Sequence, residues 1–184
     1  MCGLLGMLAA TGNVDKYVDA LERSLPCMRH RGPDAAGTWH DGDAAFGFNR
    51  LSIIDLEHSH QPLRWGPEDQ PDRYAMTFNG EIYNYVELRE ELKGLGYTFH
   101  TEGDGEPIVV GYHHWGKDVV EHLRGMFGIV IWDTKTKTMF AARDQFGIKP
   151  LYFATTDAGT VFASEMKCIL DMAEDIGLDL SLDR

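Results

Sequence analysis

Basic residues are scarce in this chain. Seventeen lysines and arginines stand against 29 aspartates and glutamates, a formal net charge of -12 over 184 residues. Such a surface repels phosphate backbones and anionic headgroups, so nucleic acid and membrane surfaces are poor partners. Cysteine is scarcer still. Cys2, Cys27 and Cys168 are odd in number, widely spaced and without a CxxC pair, so neither a disulfide framework nor a zinc knuckle is suggested, and a reducing cytoplasm fits best. Long apolar runs are missing as well: nothing approaches the roughly 18 apolar residues of a membrane span. The apolar opening from Met1 to Leu8 has no basic leader and meets Asp15 too soon to be a signal peptide. Internal repeats and low-complexity segments are also lacking.

What the chain does have is a hydrophobic content of 43%, enough for one compact domain with its own core. After a strand at Leu4 to Leu8, the residues Val14, Val18, Leu21, Leu25 and Met28 recur at steps of four and three, which predicts an amphipathic helix. Arg29 to Gly37 reads as loop around Gly32-Pro33-Asp34, followed by strands at Thr38 to Trp39 and Ala44 to Asn49; residues 57 to 73 read as another loop. A strand at Tyr74 to Phe78 leads to a helix opened by Asn84 and Glu87 as a capping box, with Tyr85, Leu88, Leu92 and Leu95 as its buried stripe. A second helix begins near Pro107 and stops at Gly116, and a short third covers Asp118 to Leu123. Met126 to Trp132, Met139 to Arg143, Leu151 to Ala154 and Thr160 to Ala163 read as an antiparallel meander of short strands. Strands, then helices, then strands argue for an α+β fold with helices covering antiparallel sheets.

Chemistry concentrates first at Cys2. Removal of the initiator Met is sterically easy before a small side chain, and it would leave a free amine on the nucleophile's own residue. An α-amino group titrates near about 7.7–8.0 and a thiol near about 8.5, so at neutral pH the amine can act as base for the thiol, directly or through a water. Metal chemistry fails on spacing. His58 and His60 sit in a predicted loop without a partnering Cys, and adjacent His113 and His114 point to different faces of their helix, so no metal site is expected.

The string Cys2-Gly3-Leu4-Leu5-Gly6, followed by Arg29-His30-Arg31-Gly32-Pro33-Asp34 and Asn79-Gly80-Glu81-Ile82-Tyr83-Asn84, resembles the class II glutamine amidotransferases. Within them, Asn79 to Asn84, the run from Ala142 to Tyr152 and Ala163-Ser164-Glu165-Met166-Lys167 resemble the asparagine-synthetase branch, and the resemblance covers almost the whole chain. It implies a four-layer αββα sandwich of the N-terminal-nucleophile hydrolase type, with the processed cysteine at a strand end facing the pocket. It also implies a glutaminase domain over residues 1–170, with residues 171–184 starting a linker to a synthetase domain outside this chain.

By the same resemblance Asn79 and Gly80 form the oxyanion hole, which suits an amide donor beside a glycine whose N–H can approach closely. Taken alone, Asn-Gly is equally the dipeptide of a tight turn. Arg50 matches the ligand of the glutamine carboxylate, a task suited to a guanidinium fork. Glu81 and Asp104 would receive the α-ammonium, and Leu51, Ser52, Ile53 and Ile54 would line the site partly through backbone groups. Arg31 and Asp34 suggest an ion pair at the pocket but are assigned structural roles. Arg143 and Asp144 are expected to order loops against a neighbouring domain, and Lys149 and Pro150 add no separable chemistry. The implied partners are L-glutamine and a covalently linked synthetase domain, with a homodimer left open. No cofactor is expected in this domain, while ATP and magnesium belong to the synthetase domain. Two other classes stay open: a glutaminase domain serving a different acceptor, and a glutamine-sensing module without turnover.

Overall fold

The computed structural model describes residues 1–52, 55 and 60–181. Its strands form two antiparallel sheets. In the first, β2 (Ala35–His40), β3 (Ala44–Arg50), β1 (Gly3–Ala9), β9 (Gly159–Ala163) and β8 (Tyr152–Thr156) lie in that order. In the second, β4 (Leu63–Trp65), β5 (Tyr74–Ile82), β6 (Gly125–Asp133) and β7 (Thr138–Arg143) follow one another.

The period-2 alternation of side chains decides which residue faces which layer. On β1, Leu5, Met7 and Ala9 pack outward against α1 (Asp15–Ser24), α5 (Met166–Asp171) and α6 (Ala173–Ile176). On the second sheet, Met76, Phe78, Ile129 and Ile131 pack outward against α2 (Tyr85–Gly94), α3 (Glu106–Trp115) and α4 (Val119–His122). Between the sheets, Leu4, Ala44, Phe46 and Phe48 of one meet Ala75, Val130 and Trp132 of the other. The result is the expected α+β, four-layer αββα sandwich.

Several local expectations change. The amphipathic stripe from Val14 ends as α-helix at Ser24 and continues as a 3-10 turn, Leu25–Met28, where Pro26 interrupts the ladder. Strand β2 begins at Ala35, so the loop after Arg29 is shorter than its composition suggests. Strand β4 lies inside the segment expected to be loop. The Asn84 side chain does not cap α2; it donates to His122 O at 2.9 Å and accepts from Arg124 N at 2.9 Å, tying that helix start to the approach of β6. Leu95 is half exposed rather than part of the buried stripe. The last four strands are not one meander: β6 and β7 close the second sheet, whereas β8 and β9 cross to the first. Beyond Leu170, where a linker was expected to start, Met172 and Ile176 are buried in the first sheet's helical layer.

Candidate active site

The same alternation that builds the inter-sheet core also builds the site. Cys2, Leu4 and Leu8 share the inward face of the β1 segment, and Arg50 shares that of β3 with Phe46 and Phe48. Opposite them, Asn79 and Glu81 share the inward face of β5 with Ala75. The inward positions at one end of the sandwich are therefore polar, and they enclose a cavity of about 280 Å³ lined by Cys2, Arg50, Leu51, Asn79, Gly80, Glu81 and Asp104. A larger cavity of about 830 Å³ opens beside Arg143 and Phe146, but no cysteine lines it.

Cys2 sits half-buried, its Sγ accepting from Leu51 N at 3.4 Å and lying 3.6 Å from Leu51 O. Burial pushes the thiol above its ordinary value; the Leu51 N–H, the positive chain terminus and Arg50 pull it back, and Asp104 adds to the rise. The thiolate is thus disfavoured at this depth, and an adjacent base becomes useful.

Asn79 and Gly80 are not a turn. They pair with Gly128 and Phe127 of β6 in the interior of a regular ladder. A side chain at position 80 would collide with the carbonyl oxygen of Met126 and come within 2.8 Å of Phe127 Cα, so glycine is demanded by the neighbouring strand. The Asn79 side chain is 1% exposed, and its Nδ2 lacks a hydrogen-bond partner among the described residues. Such a donor lining a cavity beside a thiol is placed to meet a negative charge that develops there.

Arg50 is 7% exposed and donates from Nη2 to Asp55 O at 2.6 Å, which fixes the guanidinium at the cavity wall. Asp104 accepts from Ile82 N at 3.0 Å. Burial raises its carboxyl above the usual range, the Ile82 N–H works against this, and the charge of Glu81 adds to it. A carboxyl whose charge is disfavoured by burial and by an acidic neighbour is suited to a cation.

The loop bearing Asp104 is ordered by two buried groups the sequence reading passed over. Glu106 accepts from His100 N at 2.9 Å and Thr101 N at 2.7 Å, while Arg89 donates to Glu102 Oε2 at 2.8 Å and Gly103 O at 2.7 Å. Gln61 was also missed. Its side chain bonds both backbone groups of Phe78, at 2.7 and 3.1 Å, and lines the cavity beside Met126 and Lys149. A charged residue inside an apolar helical stripe, as Arg89 is, was the available signal for the first pair; Gln61 left none.

Other expectations resolve plainly. Ser52 does not line the cavity; its N–H donates to Asp34 Oδ2 at 2.8 Å. Ile53, Ile54 and His58 lie outside the described residues. Arg31 pairs with Glu165 at 3.2 Å rather than with Asp34. Asp144 accepts from Phe127, Ile148 and Lys149 N–H groups, and Arg143 donates to Gly147 O and Lys149 O, so this pair orders its own loop. Lys149, dismissed on sequence, is 6% exposed and lines the cavity. His113 and His114 take separate tyrosine partners, Tyr74 and Tyr97, and His60 is exposed.

Comparison with known proteins bears on this arrangement. The chain is 56% identical over 194 residues to a Mycobacterium tuberculosis protein named "putative asparagine synthetase (glutamine-hydrolyzing)", covering 100% of this chain and 30% of that one. It is 42% identical over 184 residues to asparagine synthetase (glutamine-hydrolyzing) 1 of Bacillus subtilis, covering 97% of this chain and 28% of the other. The chain thus spans under a third of the length of these relatives. Among solved structures, the glutamine phosphoribosylpyrophosphate amidotransferase of B. subtilis with ADP and GMP superposes with a TM-score of 0.72 at 21% identity, over 96% of this chain and 44% of that one. The allosteric regulatory enzyme of purine biosynthesis gives 0.76 at 21% identity, over 94% and 43%. At that identity the likeness speaks for the fold alone. The model of the glutamine amidotransferase domain matches residues 1–182, and a match along nearly the full length makes this chain a member of that family.

Proposed function

We propose that this domain hydrolyses L-glutamine to L-glutamate and ammonia through a γ-glutamyl thioester on Cys2. The observation that carries the reading is the meeting of Cys2, Arg50, Asn79, Gly80, Glu81 and Asp104, drawn from four separate chain segments, at one cavity. Arg50 takes the α-carboxylate, and Glu81 with Asp104 takes the α-ammonium. The side-chain amide is thereby directed toward the sulfur.

With Met1 attached, the nitrogen of Cys2 is an amide and Met1 itself lines the cavity. Removal of Met1 clears space and supplies an amine, the base that a thiol raised by burial needs. The S–C bond forms as the amine accepts the thiol proton, and the tetrahedral oxyanion is held by Asn79 Nδ2 and the Gly80 N–H. The amine returns the proton to nitrogen, the C–N bond breaks and ammonia leaves. Water then attacks the thioester, the C–S bond breaks and the thiol is restored, giving glutamate.

The asparagine-synthetase relatives support a further step, in which the ammonia passes to a covalently linked domain that converts aspartate to asparagine using ATP and magnesium. This domain requires no cofactor of its own. The cytoplasm suits its three unpaired thiols.

The test is a glutaminase assay combined with intact mass. Active protein should lack Met1, and 6-diazo-5-oxo-norleucine, a glutamine analogue that alkylates nucleophiles, should label Cys2 once. Cys168 is fully buried and its thiol is pushed up to about 12 by that burial, so it should be spared. Cys27 is only half-buried and serves as the internal control. Full activity with Met1 retained, or equal labelling of all three cysteines, refutes the proposal.

A further inference from the structure

Cys2 precedes the first residue of β1, so the strand ladder itself does not fix its peptide group. Removal of Met1 would loosen it further, since the backbone of residue 2 would then be held by its carbonyl side alone. That carbonyl is gripped: Arg31 Nε donates to Cys2 O at 2.9 Å. Arg31 is in turn held by Glu165, its Nη1 lying 3.2 Å from Glu165 Oε1.

Glu165 is placed by the same strand end it serves. The last pair between β1 and β9 is Leu5 with Ala163. Past it, Ser164 N donates to Leu4 O at 2.9 Å and Leu4 N donates to Ser164 Oγ at 3.1 Å, continuing the attachment by one residue. Glu165 follows directly, at the start of α5. Arg31 approaches from the other side, anchored by its own N–H to Met28 O at 2.9 Å. The following Gly32 admits no side chain, because a Cβ there would strike the backbone of Asn49 and Arg50. Two segments more than 130 residues apart therefore converge on the nucleophile's carbonyl.

We propose that Glu165 is a positioning residue for Cys2, acting through Arg31 as a carboxylate–guanidinium–carbonyl relay that sets where the thiol and the amine of the processed terminus point. This rests on the glutaminase reading above. Glu165 also accepts from Lys167 at 2.8 Å and lies 2.9 Å from His30 Nε2. Burial pushes its carboxyl up, but the hydrogen bonds from Lys167 and Arg31 and the nearby His30 outweigh this and hold it below the usual range. The relay is thus anchored on a permanent anion at neutral pH. Charge-assisted bonds of this kind are about twice as strong as neutral ones and fix geometry as well as energy.

The test uses Glu165→Gln, Arg31→Met and the double variant in the full chain. For each, kcat and KM for glutamine, the labelling rate of Cys2 by 6-diazo-5-oxo-norleucine and by neutral iodoacetamide, and the melting temperature are measured. Glu165→Gln keeps size and one acceptor while removing the charge, so kcat and both labelling rates should fall about tenfold, as expected for weakening a charged hydrogen bond, with KM within about twofold. In the Arg31→Met background the same change should have no further effect, because the link to Cys2 is already gone. Equal effects of Glu165→Gln in both backgrounds overturn the proposal, as does a rise in KM at constant kcat or a loss that follows melting temperature alone. Wild-type protein that turns over no glutamine refutes the glutaminase reading instead; the coupling between Glu165 and Arg31 should then still appear in the iodoacetamide rates, and its absence there overturns the relay.

Discussion

Replacing Asn79 by alanine separates catalysis from stability with unusual clarity. The Asn79 side chain is 1% exposed and its Nδ2 has no partner among the described residues. A buried donor without an acceptor costs about 1–3 kcal/mol, so deleting it removes a penalty along with the packing of a few atoms. The space created adjoins the site cavity and can admit solvent, which limits the cost of truncation. Net stability should therefore stay within about 1 kcal/mol of the parent, a shift of roughly 2–4 °C in melting temperature for a domain of this size. Turnover should behave differently. If Nδ2 meets the oxyanion only in the tetrahedral state, its loss should lower kcat by about 10²–10³, or about 2.7–4 kcal/mol of transition-state stabilisation, with KM nearly constant. Steady-state glutaminase kinetics and thermal denaturation on one preparation provide the comparison. A variant that raises KM at unchanged kcat would make Asn79 a ground-state ligand, and one that loses activity only in step with melting would make it a packing residue; either result refutes the oxyanion assignment.

Two further outcomes follow from the charged walls of the site. Arg50→Lys keeps the charge but not the guanidinium fork, so kcat/KM for glutamine should fall by at least about tenfold, with a much smaller loss on an amide lacking the α-carboxylate; substrate-independent losses would make Arg50 a scaffold residue. Asp104→Asn removes a negative charge that raises the Cys2 thiol, so the pH midpoint for Cys2 alkylation by neutral iodoacetamide should move down, whereas Arg50→Met removes a charge that lowers it and should move the midpoint up; shifts of the same sign in both variants would contradict the arrangement.

Short apolar runs bounded by turn residues made the strands legible, because β1 and β6 are buried on both faces. It could not divide the last four strands between sheets. Each hairpin satisfies its local pattern in either sheet, and the choice rests on long-range pairing of β9 with β1 and of β6 with β5. The same limit applied to polar residues. Asn84 and Glu87 have the spacing of a capping box, yet the Asn84 amide finds better partners across the chain at His122 and Arg124. Cys2, Arg50, Asn79 and Asp104 were found because their strings resemble a family. Gln61 was missed because its work is to bond the backbone of another segment, which no local pattern records, whereas Arg89 and Glu106 bond the backbone of the Asp104 loop and left only Arg89's place in an apolar stripe as a sign.

The geometry also explains why the site lies where it does. Along most of the sandwich, inward positions are filled by Leu4, Phe46, Phe48, Val130 and Trp132, and a polar side chain there would need a partner. At the end where β1 begins, β3 finishes and β5 nears its close, the inward positions fall to Cys2, Arg50, Asn79 and Glu81. Backbone groups hold two of them, Leu51 N–H on the Cys2 sulfur and Asp55 O on the Arg50 guanidinium, and all four line the same cavity. A zwitterion carrying a side-chain amide matches that pattern of one guanidinium, two carboxylates and an orphaned amide donor. One constraint thus places the cavity: the apolar core ends there, and polar side chains from both sheets take over its inward positions.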